Sequence, residues 1–218
     1  MGKKATFWRL LIATLVLLIA IYASTSAYIW ARQAHFIFRP ERIISKTPAE
    51  YQLPFEDIYV DVNDGNGKNE RIHAWWIPAG NPADRYLIYL HGSALNIEAN
   101  ITHARRFHHM GFSVFLVSYR GYGKSDGTFP TEGQVYADAQ AAWTYLVEQK
   151  GIDPEAIFIY GHSLGGAVAI QLALNNPAAG GLIVEAAFTS IADMARRIPK
   201  YRIFPLELIV NERFESIE

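Results

Sequence analysis

The sequence predicts an α/β fold, a mostly parallel sheet with helices on both faces, preceded by an apolar N-terminal helix. Three observations carry that expectation. After an initial hairpin, short apolar segments of strand length alternate with segments of helical periodicity, the pattern of a parallel sheet covered on both sides. A glycine-flanked serine, Ser163, joins one such strand to the next helix. Finally, Leu10 to Trp30 is a run of 21 residues without a charge, about the length that crosses a bilayer.

Composition narrows the function classes. The 218 residues are 50% hydrophobic, with 20 basic and 21 acidic side chains, which excludes a disordered or low-complexity polymer. With no cysteine there is no disulfide framework, zinc-thiolate site or cysteine nucleophile. Residues 1–42 carry six basic groups against Glu41 alone, which leaves residues 43–218 at −6. An acidic body speaks against a surface that tracks nucleic-acid phosphates.

The basic N-terminus flanks the apolar run, and Trp8, Tyr28 and Trp30 lie near its ends, where amphipathic rings favour the headgroup layer. Residues 1–32 therefore read as a single-pass membrane anchor. A cleavable signal peptide is the competing reading, with Lys3-Lys4, Leu10–Tyr22 and Thr25-Ser26-Ala27 as its three regions. Apolar character that continues to Trp30 favours the uncleaved anchor. A buried core helix is a third reading. Three basic residues precede the run and three follow it, so charge does not choose the side on which the body lies. The signal-like start favours a cytoplasmic N-terminus. Residues 33–54 are expected as a linker and 55–218 as the globular domain.

Within that domain, Phe55–Val62 alternates as a half-buried strand, and Asn63-Asp64-Gly65-Asn66-Gly67 supplies turn chemistry before a second strand over Arg71–Ile77. Tyr86–Leu90 and Ser113–Ser118 are continuous apolar runs, as strands buried on both faces require. Ile97–Met110 between them reads as a helix stopped by Gly111. A helix capped by Thr131 extends to Lys150, and Ala156–Tyr160 is another buried strand. Ala167–Leu174 continues as helix, Gly181–Val184 as strand, and Ser190–Arg197 as a turn or two of helix.

Gly161-His162-Ser163-Leu164-Gly165 has the G-x-S-x-G spacing of a nucleophile elbow, and it lies where such an elbow must, between a buried strand and a helix. A tight turn there needs small flanking residues and lifts Ser163 Oγ above the sheet. The Leu164 N–H, at the helix N-terminus, faces the charge that develops on an attacked carbonyl. A second donor is expected from His91-Gly92-Ser93, through the Ser93 N–H, with His91 as a loop organiser. Gly123-Lys124-Ser125 is no phosphate loop, because position 118, where a P-loop needs glycine, is serine. His103, His108 and His109 share a helix without a carboxylate partner at a metal-binding spacing. Neither a cofactor, a metal nor a nucleotide is expected.

Together, the elbow, the His91-Gly92 loop, the Arg120–Gly127 loop and Phe188-Thr189-Ser190-Ile191 resemble the α/β-hydrolase superfamily. The likeness is strongest to its membrane-anchored serine hydrolases, akin to serine aminopeptidase and lysophospholipase-like domains. It implies Ser163 as nucleophile and Ser93 and Leu164 as oxyanion-hole residues. Ala187 departs from the proline common before Phe188 in such relatives. A larger departure concerns the rest of the triad, whose acid and histidine should follow the serine. All seven histidines (35, 73, 91, 103, 108, 109 and 162) precede Ser163. Glu185 is an alternative acid with an equally good reading as a loop carboxylate. The expectation is therefore a C-terminally truncated hydrolase domain lacking its last strands and helix, with Gly181–Val184 left as an apolar edge. Activity of such a chain on esters or thioesters (small acyl esters, lipids or acylated proteins) would be impaired. A non-catalytic membrane-bound interaction module and a peptidase of the same superfamily are the alternatives.

Overall fold

A computed structural model of the chain describes residues 2–63, 69–80 and 84–216. A long helix, α1 (Gly2–Ile37), leads into a six-stranded sheet of order β2-β3-β6-β4-β7-β8. Its strands are β2 (Glu56–Asn63), β3 (Asn69–Ile77), β4 (Tyr86–Leu90), β6 (Ser113–Ser118), β7 (Ile157–His162) and β8 (Gly181–Glu185). The β2–β3 and β3–β6 pairings are antiparallel and the other three parallel. Most of the expected turn after Asn63 lies outside the described residues, but the Asn63–Asn69 pairing closes the hairpin.

Alternation along the strands builds two apolar layers. One face presents Ile88, Leu90, Phe115 and Val117 to α3 (Glu132–Thr144) and α4 (Leu164–Asn175). The other presents Leu87, Tyr89, Val114 and Leu116 to α2 (Ile101–His109). Burial on both faces is why β6 is apolar from Val114 to Val117, and all six of its residues are buried. Thr131 caps α3 reciprocally with Gln134, whose amide and side chain both bond it. The helix expected to reach Lys150 does so through a wider π turn over Tyr145–Gln149, with the Tyr145 ring stacked on Phe115 at 5.5 Å.

The apolar helix is longer than the expected anchor. Its 36 residues extend about 54 Å, against a hydrocarbon core of about 30 Å. Its last turns root it in the body: Ala34 and Ile37 pack on the core, and Phe38 is fully buried. Gln33 Oε1 accepts the amide hydrogens of Asn211 and Glu212 at 2.8 and 3.1 Å. The 33–54 stretch, expected as a linker, is packed chain. β1 (Arg39–Pro40) pairs in parallel with β5 (Ala94–Leu95), and a short 3-10 turn at Pro48–Tyr51 delivers Leu53 into the α2-side core.

Strand β8 is the sheet's outer edge, and Leu182, Ile183 and Val184 are 41, 38 and 40% exposed. Beyond it the chain forms α5 (Ile191–Arg196), a 3-10 turn at Pro199–Tyr201 and α6 (Leu206–Ile209). It then returns to the body at Phe214, which is buried beside Phe38 and Tyr136. The Glu132 carboxylate clamps the return by accepting the Arg213 and Phe214 amides at 2.6 and 2.8 Å.

Candidate active site

Parallel strands bring their carboxyl ends, and the loops that follow, to one edge of the sheet. Ser163 stands there, half-buried between β7 and α4, with φ 54° and ψ −120°. A serine in this region of backbone space carries strain of about 1–3 kcal/mol and persists only when its surroundings over-determine it. Here they do. The Ser163 amide donates to Glu185 O at 2.9 Å, and its carbonyl accepts from Gly166 N at 2.9 Å. A Cβ on Gly161 would lie 2.0 Å from Gly165 O, and one on Gly165 would lie 2.1 Å from Leu90 O. Both clashes are with backbone, so the elbow closes only with glycine at these two positions.

The His91–Ser93 loop lies against the serine. A Cβ built on Gly92 would come 3.5 Å from Ser163 Cβ, an ordinary contact, so glycine here chiefly leaves the space beside the hydroxyl open. Several groups brace this loop. Tyr119 Oη donates to His91 O at 3.1 Å, Tyr122 Oη to Ser93 O at 2.7 Å, and Arg39 N to Ser93 O at 2.8 Å. Among the described residues no acceptor takes the amide hydrogens of Ser93 or Leu164.

His91 is fully buried, and its Nδ1–H donates to Gly92 O at 2.7 Å. Burial penalises the imidazolium and brings its pKa down to about 4, so the ring is neutral at physiological pH. Its rim contacts with Tyr119 and Tyr122, at 4.6 and 5.0 Å between ring centres, fit the expected organising role. The Tyr119–Gly127 loop is tied to the body by its own side chains. Arg120 Nε bonds Asp138 Oδ1 at 2.7 Å and Arg120 N bonds Asp138 Oδ2 at 2.8 Å, both residues buried, while Lys124 Nζ reaches Asp57 at 3.0 Å. Tyr119 and Tyr122 went unnoticed as loop braces in the sequence. The only signal for them in the sequence is a pair of tyrosines beside a glycine-rich turn.

No described histidine hydrogen-bonds Ser163 Oγ. His73 bonds Asp57, His108 bonds Pro78 O, His35 stacks on Phe129, and His162 faces His103 with ring centres 6.4 Å apart. Glu185 is exposed. Its Oε2 accepts the Tyr160 hydroxyl at 2.6 Å, a bond that lowers the carboxyl pKa, with the Arg106 guanidinium acting in the same direction. That places its carboxylate in a hydrogen bond to Tyr160 and its carbonyl on the elbow, without a histidine to orient. Among the described residues no group of three or more histidines and carboxylates is placed to hold a metal.

The arrangement agrees with what the chain is similar to. A model of the family described as serine aminopeptidase, S33, matches residues 81–213. The chain is 40% identical over 153 residues to the α/β hydrolase domain-containing protein WAV2 of Arabidopsis thaliana, covering 68% of this chain and 48% of that protein. An uncharacterized protein of Mycobacterium tuberculosis is 32% identical over 206 residues, covering 93% of this chain and 70% of its own length. The chain thus spans about half the length of the Arabidopsis relative. The crystal structure of an α/β hydrolase from Vibrio vulnificus superposes with a TM-score of 0.60 at 27% identity, over 74% of this chain and 57% of that one. The family model, which matches more than half of the chain, and these relatives place the protein in the serine aminopeptidase S33 family of the α/β-hydrolase superfamily.

Proposed function

We propose that the protein is a serine hydrolase of carboxylic esters or thioesters, with Ser163 as nucleophile and the Ser93 and Leu164 amides as its oxyanion hole. The observation that carries this reading is the strained backbone of Ser163, held at φ 54° between a buried strand and a helix by close backbone contacts at Gly161 and Gly165. Attack of Ser163 Oγ on the carbonyl forms the new C–O bond and moves the carbonyl π electrons onto oxygen. Two amide hydrogens then hold that oxyanion, and losing one such donor typically costs about 3–4 kcal/mol of barrier. Collapse expels the alkoxide or thiolate, which takes up the proton given up by Ser163 Oγ and leaves as alcohol or thiol; water then cleaves the acyl-serine to the free acid and restores the hydroxyl.

Proton transfer argues for esters over amides. An alkoxide or thiolate leaves with less protonation than an amine does, so a serine facing two amide donors serves an ester more readily than an amide. Helix α1 is long and apolar enough to cross a membrane. We read it as the anchor of a single-pass protein, which directs the substrate class towards acyl lipids or acylated proteins.

Incubation with a fluorophosphonate, followed by peptide mass spectrometry, tests the nucleophile. Slow labelling confined to Ser163 and lost in Ser163→Ala is the expected result. Absence of Ser163 labelling favours the second reading, a non-catalytic membrane-bound module, which the lack of a histidine at Ser163 supports. Acyl-ester and aminoacyl-peptide substrates compared on the labelled protein separate esterase from peptidase.

A further inference from the structure

The chain between β8 and Phe214 leaves the body beside the elbow and comes back to it. Its base is pinned where Ile191 N donates to Arg213 O and Ser216 N to Thr189 O, both at 2.9 Å. In between, the excursion reaches the flank of the apolar helix. Tyr22 Oη donates to Ile203 O at 2.9 Å, and the Tyr22 ring stacks on Phe204 at 5.7 Å.

Two properties of this excursion suit a lipid surface. Met194, Ile198, Ile203 and Leu208 are 42, 41, 68 and 80% exposed, unlike the apolar side chains of the sheet interior. Between Met194 and Leu206 the chain also carries four cations and no acid, within a body whose residues 43–218 sum to −6. Asp193 and Glu207 neutralise Arg196, whereas Arg197, Lys200 and Arg202 have no carboxylate partner among the described residues.

Position along the helix decides between lipid and a merely sticky loop. The run from Leu10 to Trp30 is about 30 Å long, which matches the hydrocarbon core. Tyr22 lies inside that run, so a contact at Tyr22 carries Ile203 and Phe204 into the headgroup layer or beyond it. The helix also joins the body at the loop that holds Ser93, where Arg39 N meets Ser93 O.

We infer that Met194–Leu208 is a second membrane contact, a cationic and apolar lip beside the anchor that reaches from the headgroup layer into the outer acyl chains and turns the Ser163 edge of the sheet towards the bilayer. This rests on the reading of α1 as an anchor. An apolar surface of this size enters about 5–10 Å below the headgroups, helped by attraction of cations to anionic lipid.

Because the chain has no cysteine, single labels are clean. The full chain, reconstituted in phosphatidylcholine–phosphatidylglycerol vesicles, would carry an environment-sensitive fluorophore at Leu15→Cys, Ile203→Cys, Leu208→Cys or Glu155→Cys. Glu155 is exposed and lies at the amino end of β7, away from the proposed surface. Quenching by nitroxide lipids at Ile203 and Leu208 at least about threefold above Glu155 is expected for side chains inserted to that depth. Quenching at Leu15 with Ile203 and Leu208 no different from Glu155 overturns the lip and leaves the anchor standing. No quenching at Leu15 overturns both.

Discussion

The elbow and the outer strand β8 are neighbours in one sheet, yet they are built to different tolerances. Around Ser163, backbone packs on backbone: Gly161 and Gly165 leave no room for a methyl group, and the facing loop is tied by Tyr119, Tyr122 and Arg39. One strand further out, Leu182, Ile183 and Val184 keep roughly two fifths of their surface exposed, because α4 covers one face of β8 and no described strand pairs with its outer edge. The contrast shows that the geometry proposed for nucleophile and oxyanion hole is set by β4, β7 and the loops after them. It draws on the edge at two points, the Ser163–Glu185 bond and the close packing of Gly166 on Val184 and Ala187.

The strongest challenge to that contrast is a methyl group at the elbow. Gly161→Ala drives a Cβ into Gly165 O, and a loss of about 4 kcal/mol or more in urea unfolding is expected, since backbone cannot step aside cheaply. A loss below about 1 kcal/mol would show that the turn relaxes as readily as an ordinary one. Next in size is Asp138→Ala, which takes the nearer carboxylate from the buried Arg120 guanidinium, leaving Glu70 at 3.5 Å, and is expected to cost about 3 kcal/mol. Replacing both partners with apolar residues of similar volume should recover most of it, and the double variant therefore separates pairing from packing.

A smaller effect comes from acid. His91 binds its proton with a pKa of about 4 when folded and 6.5 when exposed, so the unfolded chain takes up the proton first as pH falls. Stability is then whole above pH 6.5 and declines through the window down to about 4, by about 2 kcal/mol on reaching pH 5. His73, whose pKa burial also lowers, adds to the same slope. His91→Gln should remove about one proton from the pH dependence of the unfolding free energy, and an unchanged slope would show that the ring is not the buried neutral group described. The smallest change belongs to the edge. Ile183→Lys is expected to alter stability by no more than about 0.5 kcal/mol while raising solubility in light scattering. A large destabilisation there would erase the distinction between elbow and edge.

The accuracy of the sequence reading varied with how local the determinants were. Tyr86–Leu90 and Ser113–Ser118 agree with the structure residue for residue, because a strand buried on both faces leaves an uninterrupted apolar signature. The α4 helix begins three residues earlier than its periodicity suggested, since the elbow itself supplies its first turn. The π turn after Thr144 left no mark in composition, for it arises where Tyr145 meets Phe115 across the sheet.

From the chain alone came the strand order's raw material, the apolar N-terminal helix and the tight turn at Ser163 between strand and helix, because periodicity and G-x-S-x-G spacing act over a few residues. Tertiary structure alone decided that 33–54 packs as body, that Tyr119 and Tyr122 brace the loop beside the serine, and that Ile203 meets Tyr22 across 181 positions of sequence. Such contacts depend on which surfaces remain free after the sheet has formed, and no short stretch of residues encodes that choice.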